Sequence, residues 1–313
     1  MKQIRVCMMV LALLAGSAHA AGVALCSPQL LLGHTPNGSE VKTHRQFAAP
    51  VISYPYGTKL DQWGWRLTVR VDEAGRVVCY GTKDEFDRDF SMNEARRAFL
   101  DKLGSWRYAS FAKNGRPTAV VLSEHIAEQE SPETNRPLPD VRLAEVHIAL
   151  ARSGCFGSCP SYQIDIHGDG WVVYQGGAYV DVVGRHEYKV PKVDVAKLVE
   201  SLRAKGIWSL RSSYRAPITD NPDYELTLTI DGQTHKLDDY VGQMAGMPAV
   251  VSDFENEVDE VARSGMWVNL SQAGVEHLKA EGFRFDSPEG ADLLARTVAN
   301  RDSHDDEAMR ELV

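Results

Sequence analysis

Two stretches of the chain are built alike. Tyr162-Gln-Ile-Asp-Ile-His-Gly-Asp-Gly170 and Tyr224-Glu-Leu-Thr-Leu-Thr-Ile-Asp-Gly232 share the pattern Tyr-x-apolar-x-apolar-x-x-Asp-Gly. Apolar residues at every second position are the period of a strand with one buried face. Asp-Gly suits the positive dihedrals of a tight hairpin turn, and each segment is followed by a further strand-like run, 171–174 and 234–240. Asp169 and Asp231 therefore read as turn residues rather than catalytic acids. His167 reads as the end of its strand, beside the turn.

Helical periodicity separates and follows the hairpins. Val193, Ala196, Leu198, Val199 and Leu202 mark one helix, ended by Gly206. Val250, Val251, Phe254, Val258 and Val261 mark another, ended near Gly265. With a strand over 142–151, the span 142–266 reads as an α+β unit. Cys155-Phe-Gly-x-Cys159-Pro-x-Tyr162, Gly168-Asp-Gly170, Thr219-Asp220-x-Pro222 and Asp238-Asp-Tyr240 resemble a bacterial extracytoplasmic family, domain of unknown function 6438. The resemblance implies a fold and export, and brings no activity with it.

A smaller α+β unit is expected over 41–126. Residues 65–71 alternate as a strand, 76–82 follow a turn at 72–75, and Ser91-Met-Asn-Glu94 is a capping box ahead of a helical face of Met92, Ala95, Phe99 and Leu103. A last strand spans 118–126. Tyr54-Pro55, Val71-Asp72-x-x-Gly75-x-Val77, Trp106-Arg-Tyr108 and Asn114-Gly115-Arg-Pro117 resemble the C-terminal domain of TonB and its relatives. That resemblance implies a periplasmic domain that recognises partners by strand addition. The family's Phe-x-Pro-Ala is here Tyr108-Ala-Ser-Phe111, and no transmembrane anchor or proline-rich spacer accompanies it, so a fold carries over and energy transduction does not. The segment 127–141, with Pro132, Pro137 and Pro139 and no apolar period, reads as a linker.

The N-terminus carries an export signal. Lys2 and Arg5 precede an apolar run over 6–15, and Ala18-His-Ala20 is a small-x-small cleavage pattern. The run is too short for a membrane anchor, which needs about 20 apolar residues. Cleavage after Ala20 places the mature chain, with no transmembrane segment, in the periplasm or outside the cell. Export makes the four remaining cysteines candidate disulfides. Cys155 and Cys159 sit in a glycine-rich turn and read first as a structural bridge, with a redox dithiol and a metal site as the competing readings. Cys26 with Cys79 follows by elimination.

Residues 267–313 read as a helical, acidic tail. Val275 and Leu278 are echoed by Met309 and Leu312, and a helix opens at Ser287-Pro288, a spacing similar to ankyrin repeats. Such repeats need about three copies to bury their faces, so the preferred reading is a chain cut short within a repeat; the other is that these helices dock on the preceding domain. The fold class expected is thus α+β: two small antiparallel-sheet-plus-helix domains followed by an ankyrin-like helical tail.

The formal charge is −9, and −11 without Lys2 and Arg5, which argues against a nucleic-acid partner. The sequence carries no nucleophile elbow, zinc-protease, phosphate-loop or dinucleotide motif, so no catalytic residue, metal or cofactor is expected. His304-Asp-Asp-Glu307 reads as a solvated helix start. The candidate binding residues are Tyr162, Asp220, Asp238, Asp239 and Tyr240. The expected function is an exported, non-catalytic binding or scaffold protein with a protein partner in the cell envelope. The alternative is a thiol-redox or hydrolytic enzyme at Cys155 and Cys159, or at the 220–239 loops.

Overall fold

The computed structural model describes residues 23–58, 60, 65–81, 92–134 and 136–300. The span 1–20 read as an export signal, Thr82, Ser91, the segment at His304 and the tail positions Met309 and Leu312 lie outside these residues. The chain divides into two compact units, one of residues up to Ala49 with Arg66–Glu124, the other of Pro50–Trp65 with the chain from His125 onward.

Along the chain run β1 (Ala24–Leu25), α1 (Gly38–His44), β2 (Val51–Tyr54), β3 (Trp65–Val71), β4 (Val77–Tyr80), α2 (Glu94–Leu100), β5 (Ala112–Lys113), β6 (Arg116–Pro117) and β7 (Val120–Glu130). Then follow β8 (His147–Arg152), β9 (Tyr162–His167), β10 (Trp171–Gly176), β11 (Gly184–Lys189), α3 (Lys192–Lys205), β12 (Ser213–Arg215), β13 (Tyr224–Ile230) and β14 (Gln233–Tyr240). Last come α4 (Ala249–Ala262), α5 (Gly265–Val268), α6 (Gln272–Ala280) and α7 (Pro288–Asn300).

In the first unit β4 lies between β1 and β3. Leu67, Val69 and Val71 of β3 are fully buried, as alternation requires. Asp72 makes the following turn by accepting from the backbone N–H of Ala74 and Arg76, at 3.0 and 2.9 Å. Asn93 caps α2, its side chain accepting from Arg96 N at 2.8 Å. The Trp106-Arg-Tyr108 motif builds an aromatic cluster: Phe47 stacks on Trp106 at 4.3 Å and meets Tyr108 edge-on at 5.3 Å. Cys26 and Cys79 are at disulfide distance and clip β1 to β4.

β7 does not stop at Ile126. It runs to Glu130, into the span read as linker, because glutamates take buried places in its alternation. Glu124 is held by the Arg45 guanidinium and by the Tyr108 hydroxyl at 2.8 Å. In the second unit, β2 pairs parallel with the end of β7, Tyr54 OH donates to Glu128 at 2.5 Å, and Arg211 stands 3.3 Å from buried Glu130.

The second unit's sheet has the order β11-β10-β9-β8-β13-β14-β12. It is not purely antiparallel as expected, since β12 runs parallel to β14, and in the first unit β1 runs parallel to β4. The two Asp-Gly turns also differ. Asp231 and Gly232 both take positive φ, 49° and 71°, in a two-residue hairpin, whereas in the other only Gly170 does, at 87°, and Asp169 instead accepts from Trp171 N at 3.0 Å. β11 and β12 were not anticipated.

One sheet face is covered by helices. α3 buries Val195, Leu198, Val199 and Leu202, while Val193, expected on that face, is exposed. α4 buries Val251, Phe254, Glu255, Val258 and Ala262. Trp267, Leu270, Val275, Leu278 and Leu293 belong to the same apolar cluster as the sheet, so the described tail helices dock on it. The β10–β11 connection grips them: Val182 N donates to Trp267 O at 3.0 Å and buried Asp181 accepts from Leu270 N at 2.8 Å.

Candidate functional site

Strand register brings Tyr162, Arg152, Tyr224 and Asp239 into one row across β9, β8, β13 and β14. The next row on the same face is Ile164, Leu150, Leu226 and Leu237, all fully buried. The polar row is therefore the end of an apolar core. The two echoed tyrosines, which looked like separate strand starts, flank a single arginine.

α4 closes over this row with Glu255 and Asp259. Arg152 Nε donates to Asp259 Oδ2 at 2.8 Å, and its guanidinium carbon lies 4.4 Å from the Tyr224 ring centroid. Asp259 Oδ1 accepts from the Tyr162 hydroxyl at 2.8 Å and from Ser264 Oγ at 2.5 Å. Burial, reinforced by the Asp259 charge, pushes the Tyr162 phenol well above its usual range, so it stays a donor. Burial works against the Arg152 charge, and Asp259 beside it more than offsets this.

Glu255 lies one helical turn before Asp259 and is 1% exposed. Its Oε1 has no hydrogen-bond partner among the described residues. Burial first, then the neighbouring Asp239, pushes its carboxyl up to about 8, which leaves it mostly protonated at neutral pH. Asp239 is also raised by burial, against the hydrogen bond it accepts from Gly242 N at 2.6 Å. Gly242 is required there, because a Cβ would meet Asp239 Oδ1 and Met247 Sδ at 2.8 Å. Val241 before it takes φ 50°, a strained value for a β-branched residue.

Outside the row, Ser153, Gln175, Asp223 and Asp238 help to line a cleft of about 530 Å³ that reaches Arg152 and Tyr162. The Cys155–Cys159 loop belongs to this end of the sheet. The two cysteines are at disulfide distance, Ser153 N donates to Asp223 O at 2.8 Å, and Phe156 N donates to Asp220 O at 3.3 Å. Phe156, at the loop's tip, is 89% exposed.

The residues singled out from sequence thus fall into two groups. Tyr162 and Asp239 join the buried row. Asp220, Asp238 and Tyr240 do not: strand alternation turns Asp238 to the opposite face from Asp239, and Asp220 accepts from Thr219 Oγ1 at 2.8 Å. The Tyr240 ring lies 4.8 Å from the Arg215 guanidinium carbon, and its hydroxyl accepts from Asn221 N at 3.3 Å. Arg152, Glu255 and Asp259 were missed. The signal for Glu255 was its place on the α4 core stripe of Val251, Phe254, Val258 and Ala262. Among the described residues no three His, Cys, Asp or Glu side chains stand together to hold a metal ion.

Residues 146–262 match the model of a family described as Domain of unknown function (DUF6438). The match spans β8 to α4 and contains the whole polar row, the cysteine loop and the cleft. No curated protein matches the chain. Among the described residues no helix is long and apolar enough to cross a membrane, and the two disulfide-distance pairs fit a location outside the cytoplasm.

Proposed function

We propose that the chain is an exported, non-catalytic binding protein of the cell envelope whose recognition surface is the Cys155–Cys159 loop and the adjoining cleft. The carrying observation is Phe156, a large apolar side chain at 89% exposure on a loop closed by two cysteines. A rigid aromatic presented beside a cleft is the usual form of an interface anchor, because its apolar area is gained on docking with little ordering cost. Phe156 N is tied to Asp220 O, which holds the loop backbone beneath that anchor. The first unit's resemblance to TonB C-terminal domains supports the same class of function, with strand addition as its mode.

Export follows the leader, with cleavage after Ala20. The test is a photo-crosslinking residue at position 156, compared with one at 193, where Val193 is exposed on α3. A discrete adduct with one envelope protein at 156 and none at 193 supports the reading. Equal labelling at both positions overturns it.

The alternative, a hydrolytic enzyme at the 220–239 loops, draws on Asp239 and Glu255, two neighbouring carboxyls raised by burial. Its thiol-redox form requires the cysteines to cycle. Alkylation without reductant tests the redox form alone: labelled Cys155 and Cys159 favour it and unlabelled ones sink it, while the hydrolytic form survives either result and is tested by Asp220→Asn.

A further inference from the structure

Asp239 lines a second cavity, distinct from the cleft. It measures about 390 Å³ and is walled by His125, Gln129, Val241, Met244, Met247 and Ser252, a volume within the roughly 300–1,000 Å³ common for small-molecule sites. Asp239 is 6% exposed. Its Oδ1 is taken by Gly242 N, and among the described residues its Oδ2 has no hydrogen-bond partner. A carboxylate so buried needs a counter-charge, because desolvation otherwise penalises it heavily.

Arg152 favours the Asp239 charge without overcoming its burial, and Asp223 opposes it. Arg152 gives its hydrogen bonds to Asp259 and Asn256, and Glu255 adds a further acidic group nearby. Asp239, Glu255 and Asp259 thus face one guanidinium. The loop is also shaped at a cost: Val241 holds a left-handed conformation, and Gly242 admits no Cβ beside Asp239. Strain of this kind persists where the surrounding structure fixes it, and it gathers at binding sites. The walls beside the carboxylate are methionines, which mould to an aliphatic chain.

We infer that this cavity is a binding site for an alkylammonium group, with the cation on Asp239 Oδ2 and the aliphatic stem against Met244 and Met247. Both a free amine and a lysine side chain of another protein carry that chemistry. The inference stands whether or not the Phe156 loop binds a protein.

The test is calorimetric titration of the full chain with cadaverine and with the peptide acetyl-Gly-Lys-Gly-amide, using 1-pentanol as the uncharged control. At least one cation binds and the alcohol does not; tighter cadaverine binding identifies a free amine, and tighter peptide binding identifies a lysine side chain. Asp239→Asn keeps the acceptor for Gly242 N while removing the charge, and weakens binding by about tenfold or more. Should that variant fail to fold, Ala249→Trp at the cavity rim decides, since filling the space abolishes binding without touching Asp239. Absence of binding by both cations, or binding unchanged in the variant that folds, overturns the inference.

Discussion

Arg152 and Asp259 are 107 residues apart in sequence, and their ion pair joins the end of β8 to α4. Their side chains are 12% and 18% exposed, so the pair is largely withdrawn from water. It carries more than its own Coulomb energy, because the same aspartate orders Tyr162 and Ser264. The pair ties α4 to the end of β8 at this point.

Arg152→Met is therefore expected to destabilise the chain by about 3 kcal/mol, because it leaves Asp259 buried without its counter-charge. Asp259→Leu costs a similar amount for the mirror-image reason. The double variant recovers part of the loss, since neither charge is then stranded. Urea unfolding of the four proteins checks this, and strict additivity of the two single losses would refute the coupling.

Glu255 gives a pH dependence whose sign is fixed by its raised carboxyl. From an ordinary 4.5, burial and Asp239 bring it to about 8 in the folded chain. Between those values the folded state holds a proton that the unfolded state has lost. Its stabilising effect is fully present below pH 4.5 and falls as pH rises toward 8. Glu255→Gln removes that slope and gains on the parent as pH rises, by an amount on the order of a few kcal/mol. Urea midpoints of both proteins at pH 5, 6.5 and 8 measure it; parallel curves would contradict the burial of an unpaired carboxyl.

Much of the second unit could be read from the chain because its signals are local. Alternation placed Ile164, Ile166, Leu226 and Leu228 in the core, and periodicity placed both main helices. The candidate row was hidden for a physical reason. Tyr162, Arg152, Tyr224 and Asp239 are neighbours only through strand register, which depends on non-local pairing. Glu255 was hidden by its charge, as were Glu124, Glu128 and Glu130, which occupy apolar places in the β7 alternation. There the side-chain type masked the period and shortened the strand that was expected. β12 is only three residues long, too short for any alternation to show.

His235 supplies the opposite pH dependence. It is 2% exposed beside the Trp208 ring, at 5.6 Å, and its Nε2 has no hydrogen-bond partner among the described residues. Burial, with the Arg136 charge adding to it, lowers its titration from 6.5 to about 4. The unfolded chain then takes up a proton that the folded one refuses, so stability present above pH 6.5 is lost as pH falls toward 4. His235→Leu abolishes this component, and its melting temperature changes less than that of the parent between pH 7 and pH 4.5. An equal drop in both proteins would assign the acid sensitivity elsewhere.

The two cysteine pairs are expected to differ in what they contribute. Cys26 and Cys79 are separated by 53 positions, Cys155 and Cys159 by 4. In the chain-entropy account a cross-link stabilises by restricting the unfolded chain, and the effect grows with the logarithm of the loop it closes. That gives about 4 kcal/mol for the long loop and about 2 kcal/mol for the short one. Access runs the other way, though less steeply: Cys26, Cys155 and Cys159 are all half-buried and Cys79 is 5% exposed, so the long-loop pair offers one reachable sulfur and the short-loop pair two. Under mild reductant the 155–159 pair opens first, with a small loss of stability and a change confined to the Phe156 loop. The Cys26→Ser/Cys79→Ser variant loses roughly twice as much in urea unfolding as Cys155→Ser/Cys159→Ser. Mass-resolved alkylation over a reductant series, read beside the two unfolding curves, tests order and magnitude together; a larger loss from the short loop would mean that it braces the folded sheet end rather than restricting the unfolded chain.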